Sequence, residues 1–203
     1  MIIDISCEIS PAMIVYKNKK EKKPAIKPTR TIKQGAAESR ISLDSHTGTH
    51  VDAPKHMLAN GKGLEAFGLD SFVGNCRVID FSGLKNSITL DDIKKISPKK
   101  GERLLFKTKN SSENKFNKNF IFMESDAAKF LADKEVALVG TDGLGIERGD
   151  KTHSTHKHLL KNRIPIVEGL RLKNVKAGKY FLCVLPLKIK NIDGSPARAV
   201  LVK

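Results

Sequence analysis

The chain has 203 residues, of which 39% are hydrophobic and 29% charged, enough for a substantial core without disulfide staples. No apolar run approaches the roughly 20 residues a membrane helix needs, and Met1–Ser6 lacks a basic region followed by an apolar one, so no secretory signal is predicted and a cytoplasmic setting is expected. The formal charge of +15 raises nucleic acid as a partner, but lysines are spread along the whole chain, tryptophan is absent and aromatics total 5%, so stacking platforms for bases are scarce.

In chain order, Ile3, Ile5 and Cys7 alternate with polar residues, the period of a half-buried strand. Residues 17 to 37 are basic and broken by prolines, which predicts a long loop or flap. Ile41 and Leu43 alternate with Arg40, Ser42 and Asp44, so a second strand is expected to lead into a histidine cluster. A short helix is expected over Leu64–Leu69 and a strand over Val73–Phe81. Thr89 with Asp92 three residues on reads as a capping box. Leu104–Phe106 is a core strand, Ser125 the expected cap of a helix through Leu131, and Val136–Gly140 a buried strand. A glycine-rich loop spans 143–152, a helix His153–Lys161, and strands Ile164–Val167 and Phe181–Leu187. Strands alternating with short helices predict one α/β domain over residues 1–203 with a mixed sheet. The cysteines Cys7, Cys76 and Cys183 are odd in number and far apart, which fits buried free thiols.

Chemistry concentrates in His46-Thr47-Gly48-Thr49-His50-Val51-Asp52-Ala53-Pro54-Lys55-His56. Imidazole and carboxylate suit divalent transition ions, which need several donors converging from a stiff segment. In an extended stretch His50 and Asp52 share one side, Pro54 disfavours helix before it, and Gly48 permits the turn that brings His46 back. His56, beyond the proline, is placed to reach a metal-activated water. Further on, His156 precedes Leu159 and Leu160, which fix an inward helix face, and Glu168 ends a short strand. These two could serve a neighbouring ion, while His153 and His158 read as solvated. No serine nucleophile elbow is present and no cysteine adjoins the histidines, so covalent catalysis is not expected. A metal-storage protein or a basic binding module would use the same features without turnover, but neither needs His56.

The His46–His56 stretch resembles the His-x-Gly-Thr-His-x-Asp-x-Pro-x-His signature of the metal-dependent cyclase-like hydrolases, which include bacterial kynurenine formamidases and isatin hydrolases. Val139-Gly140-Thr141-Asp142, His156 with Glu168, and Asp193-Gly194-Ser195-Pro196-Ala197-Arg198 are similar to further family segments. The resemblance implies a swivelling β/β/α-type fold and a homodimer or homotetramer. It also implies one or two divalent ions, zinc before manganese: His46, His50 and Asp52 on one, Asp52 bridging to a second held by His156 and Glu168, and His56 as general acid/base. The implied reaction is hydrolysis of a formamide, lactam or cyclic imide. One departure is local. Formamidases commonly carry Val-Trp-Pro-Gly-Asp where this chain has Val15-Tyr16-Lys17-Asn18-Lys19, so the aromatic wall expected to bind substrate is Tyr16.

Overall fold

The computed structural model describes residues 1–203. Its strands are β1 (Ile2–Asp4), β2 (Ala25–Arg30), β3 (Glu38–Ser42), β4 (His50–Asp52), β5 (Val73–Asp80), β6 (Ser87–Ile88), β7 (Arg103–Lys107), β8 (Phe122–Met123), β9 (Leu138–Thr141), β10 (Ile166–Glu168), β11 (Gly178–Pro186) and β12 (Gly194–Val202). Three α-helices interrupt them: α1 (Leu90–Lys95), α2 (Ser125–Asp133) and α3 (Ser154–Lys161). Eight strands form one mixed sheet in the order β1-β12-β11-β5-β7-β9-β10-β4, and a further β12–β4 pairing closes it into a barrel. The run β5-β7-β9-β10 is parallel, and the joins through β4, β12 and β11 are antiparallel.

The closure depends on one long strand. β12 pairs with β11 along one edge, while its other edge pairs first with β4, at Gly194–Pro196, and then with β1, at Val200–Val202. Period-two alternation then sorts the side chains. Val51, Leu105, Leu138, Val167, Leu182 and Leu201 pack together inside the barrel. Leu104, Phe106, Val139 and Ile166 face outward onto Ala127, Ala128 and Leu131 of α2 and Leu159 and Leu160 of α3. Burying a side chain of this size stabilises by about 1.5–3 kcal/mol.

Several expectations are met in position: Thr89 and Asp92 form the capping box of α1, and strands occur at 73–80, 103–107 and 138–141. Others shift. Leu64–Leu69 is not an α-helix but two 3₁₀ turns, Leu64–Ala66 and Leu69–Ser71, separated at Gly68. Ser125 is the first residue of α2 rather than its cap, because the backbone is still extended at Glu124 after β8; the Glu124 carboxylate instead accepts from the Ser87 hydroxyl at 2.6 Å. The stretch 17–37 contains β2, which pairs with β3 as an exposed hairpin, so Ile41 lies on a separate two-stranded sheet. β12 had no predicted counterpart. Of the free thiols only Cys76 is buried; Cys7 and Cys183 are partly exposed, which corrects the core reading for those two. No helix is long and apolar enough to cross a membrane.

Candidate metal centre

The centre is built by the pleat of two adjacent strands. β4 and β10 run antiparallel, with His50 opposite Glu168, Val51 opposite Val167 and Asp52 opposite Ile166. Because Val51 and Val167 point into the barrel, His50, Asp52 and Glu168 emerge on its outer face, toward α3 and His156. Two left-handed glycines bring the strand ends together. Gly48 has φ +66° and Gly169 φ +70°, and a Cβ on Gly169 would lie 2.3 Å from the Gly48 carbonyl oxygen.

The four side chains are 0–5% exposed and form two facing trios. In one, His50 Nε2 lies 3.5 Å from Asp52 Oδ1 and 3.5 Å from Glu168 Oε2. In the other, His156 Nε2 lies 3.6 Å from Asp52 Oδ2 and 3.4 Å from Glu168 Oε1. These separations are long for hydrogen bonds, yet donors bound to one tetrahedral zinc at about 2.0–2.2 Å stand roughly 3.4 Å apart. Asp52 Oδ2 is buried with no hydrogen-bond partner. The donor set, its spacing and that orphaned oxygen fit a divalent ion, and each carboxylate offers one oxygen to each trio.

Supporting bonds fix the trio members. His50 Nδ1 contacts the Gly48 carbonyl at 2.9 Å, leaving Nε2 for the carboxylates. Glu168 Oε1 accepts from the Ile146 backbone N–H at 2.6 Å. Burial opposes charge on His50, but Asp52 and Glu168 outweigh it and push His50 up to about 10. Burial likewise opposes charge on His156, which Glu147, Glu168 and Asp52 push up to about 10. Glu168 is held down at about 2: burial and Asp52 oppose its charge, and His156 and His50 outweigh them.

His46 sits differently from the expected set of His46, His50 and Asp52 on one ion. Its ring spans two carboxylates, with Nδ1 2.9 Å from Asp52 Oδ1 and Nε2 2.9 Å from Asp193 Oδ2, while Ser45 donates to the same Asp193 oxygen at 3.2 Å. Gly194 makes room for it, since a Cβ there would lie 2.6 Å from His46 Cε1. The donor atoms of His46, Asp52 and His56 fall within 4.8 Å of one another, so His46 groups with His56 rather than with His50 and Glu168. The His56 ring lies 4.0 Å from that of His46 and 5.7 Å from that of His156. Burial lowers its pKa and the two neighbouring imidazoles add to that, against the Asp52 and Glu168 carboxylates.

A cavity of about 280 Å³ opens over these residues, lined by His46, His50, His56, His156, Glu168 and Tyr16 among others. Tyr16 is half-buried and meets Phe116 edge-on, with ring centroids 5.1 Å apart. The structure therefore brings together every residue expected at the site. It adds two that the sequence reading missed, Asp193 and Glu147. Asp193 was visible as part of a motif but its partner His46 is 147 positions away. Glu147 lies in the glycine-rich loop, where no periodicity marks a buried position; its Oε2 is 3.0 Å from His156 Nδ1 and its Oε1 contacts His153. His153 is exposed, as expected, but its ring is also paired with Glu147. Asp142 faces elsewhere, accepting from Thr108 and Ser111 to anchor the 108–111 loop.

A closed mixed barrel with paired buried carboxylates and imidazoles beneath an open cavity is the architecture of a metal-dependent hydrolase. Residues 3–148 match the family described as "Putative cyclase", and the chain belongs to that family. It is 38% identical to a kynurenine formamidase of Salinibacter ruber, over 98% of this chain and 96% of the relative, and 37% identical to one of Bacillus thuringiensis subsp. konkukian, over 80% and 78%. Among solved structures, a potential metal-dependent hydrolase with cyclase activity superposes with a TM-score of 0.92 at 45% identity, covering 99% of this chain and 96% of the other. An isatin hydrolase at 21% identity shares the fold, with a TM-score of 0.84, over 98% of this chain and 91% of the other.

Proposed function

We propose that the chain hydrolyses an amide-type bond of a small molecule, a formamide, lactam or cyclic imide, with arylformamidase-like chemistry. The observation that carries this reading is the doubly shared pair Asp52 and Glu168, set between His50 and His156 beneath a cavity that also holds His56. His50, Asp52, Glu168 and His156 would hold one or two divalent ions, with His46 at the edge of the set; zinc fits this nitrogen and carboxylate donor set, and manganese is the alternative. Such an ion supplies Lewis acidity and lowers the pKa of water from about 15.7 toward 7.

The chain's own residues do the rest. His56 is kept neutral by burial and by its imidazole neighbours, so one ring nitrogen is free to take the proton of the attacking water. The same imidazolium returns that proton to the leaving nitrogen, so water is added across the C–N bond to give a carboxylic acid and an amine. His46, held between Asp52 and Asp193, keeps the Asp52 carboxylate oriented and stands against the His56 ring. Tyr16 closes one wall against the substrate, and Tyr16→Ala should alter KM or substrate preference while metal content is unchanged. The reading carries with it a homodimer or homotetramer in a cytoplasmic setting, which light scattering and fractionation would check.

The test is to strip the protein with chelator, restore it separately with zinc and manganese, and screen N-formyl aromatic amines, lactams and cyclic imides. Turnover that disappears with the metal and returns with it is expected. A protein that binds metal stoichiometrically and turns over none of the three classes would overturn the assignment.

A further inference from the structure

His50 and His156 face the carboxylate pair in matching ways. Each presents Nε2 to one oxygen of Asp52 and one of Glu168. Each backs its Nδ1 against an acceptor, but the acceptors differ: for His50 it is the neutral Gly48 carbonyl at 2.9 Å, for His156 the Glu147 carboxylate at 3.0 Å. Glu147 is 7% exposed, so its carboxylate is held at the depth of the His156 ring. His156 Nδ1 is also buried, with no well-aligned hydrogen-bond partner, and this Glu147 oxygen lies 3.0 Å from it. Glu147 is itself held from the solvent side. His153, at a left-handed φ of 54°, turns its ring onto Oε1.

We infer that Glu147 is a positioning residue that orients the His156 imidazole and thereby sets the affinity of the ion His156 holds, an inference that rests on the metal-hydrolase reading above. A carboxylate behind a ligating histidine fixes which nitrogen carries the proton, fixes the ring plane and strengthens the other nitrogen as a donor, and losing such a partner typically weakens metal binding about 10- to 100-fold. The consequence is asymmetry. The ion on the His156 side depends on a loop carboxylate, whereas the one on the His50 side depends on backbone that no substitution at 147 touches.

A competing role is purely structural. Glu147 Oε2 also accepts from the His156 backbone N–H at 3.3 Å, in the first turn of α3, so it acts as a helix cap. Glu147→Gln separates the two, because the amide keeps an oxygen for the cap while losing the charge that makes it a strong acceptor for Nδ1–H. Cobalt(II) titration of the metal-stripped protein, followed by its d–d absorption and by chelator competition, reads each equivalent without reference to turnover. His156→Ala identifies the equivalent that belongs to His156. In Glu147→Gln that equivalent should weaken about 10- to 100-fold, with the His50-side equivalent and the melting temperature unchanged, and Glu147→Ala should weaken it at least as much while also lowering the melting temperature. Wild-type affinity in Glu147→Gln, or equal weakening of both equivalents, overturns the positioning role. Absence of any His156-dependent equivalent in the wild type overturns the second ion, and with it this assignment.

Discussion

The metal centre and the β2–β3 hairpin are both dense in charge, and the structure treats them in opposite ways. At the centre Asp52, Glu168, His50 and His156 are buried and each is engaged by at least two neighbours. On the hairpin every strand residue after Ala25 is exposed, the register slips between Pro28 and Arg30, and Arg30 with Glu38 at 3.0 Å is a surface pair. Burying charge costs several kcal/mol per ion unless it is compensated, whereas an exposed pair is worth about 0–1 kcal/mol. Charge density alone therefore separates nothing; charge held out of water marks the site.

Breaking the comparison at its strongest point means removing a shared carboxylate. Asp52→Asn should abolish stoichiometric metal, measured by plasma mass spectrometry, and destabilise the metal-free protein by about 3–5 kcal/mol at neutral pH, since His46 and His50 lose a buried partner. A variant that keeps its metal would show that Asp52 is not a ligand. Next in size, His56→Ala should lower turnover about 10²- to 10⁴-fold with metal retained. Metal content falling in step with activity would make His56 a ligand instead.

Acidity sharpens the contrast further. In metal-free protein His50 and His156 are pushed up to about 10, above the ordinary 6.5, by the carboxylates that outweigh their burial. Groups raised on folding stabilise fully below the unfolded value, so this contribution is complete below pH about 6.5 and is lost as pH climbs toward 10. Urea midpoints of the stripped protein should fall across that window, while those of the metal-loaded protein should not, because bound nitrogens no longer titrate. Parallel curves would place the ions elsewhere. At the other extreme, Ile26→Thr or Ile41→Thr on the hairpin should change stability by no more than about 0.5 kcal/mol. A larger loss in a concentration-dependent melt would mean that the hairpin is covered in an assembly.

What was legible in the sequence follows the same division. The 46–56 segment could be read because its donors are close in the chain and their alternation survives into β4 as a pleat. In the structure Val51, between His50 and Asp52, packs inside the barrel, so the two donors it separates lie on the opposite face. Glu147 could not be read, because its burial comes from α3 folding over a loop that has no period. Asp193 appeared within a motif, but its bond to His46 is made by barrel closure, which is a property of β12 and not of the local sequence. The alternation around Ile41 was genuine and gave a real strand, yet alternation reports pleat and not depth, so it did not show that this strand lies apart from the core.

Barrel closure by β12 also sets an order of events during synthesis. His46, His50, Asp52 and His56 leave the ribosome together, but Asp193 and Gly194, which seat His46, and both strands that flank β4 follow much later, with 147 positions separating His46 from Asp193. A nascent chain thus displays an incomplete set of donors with no sheet to hold them, a poor competitor for scarce ions. An ion held by this set would be bound firmly only once β12 is zipped between β11 and β4, so loading would belong to the finished fold.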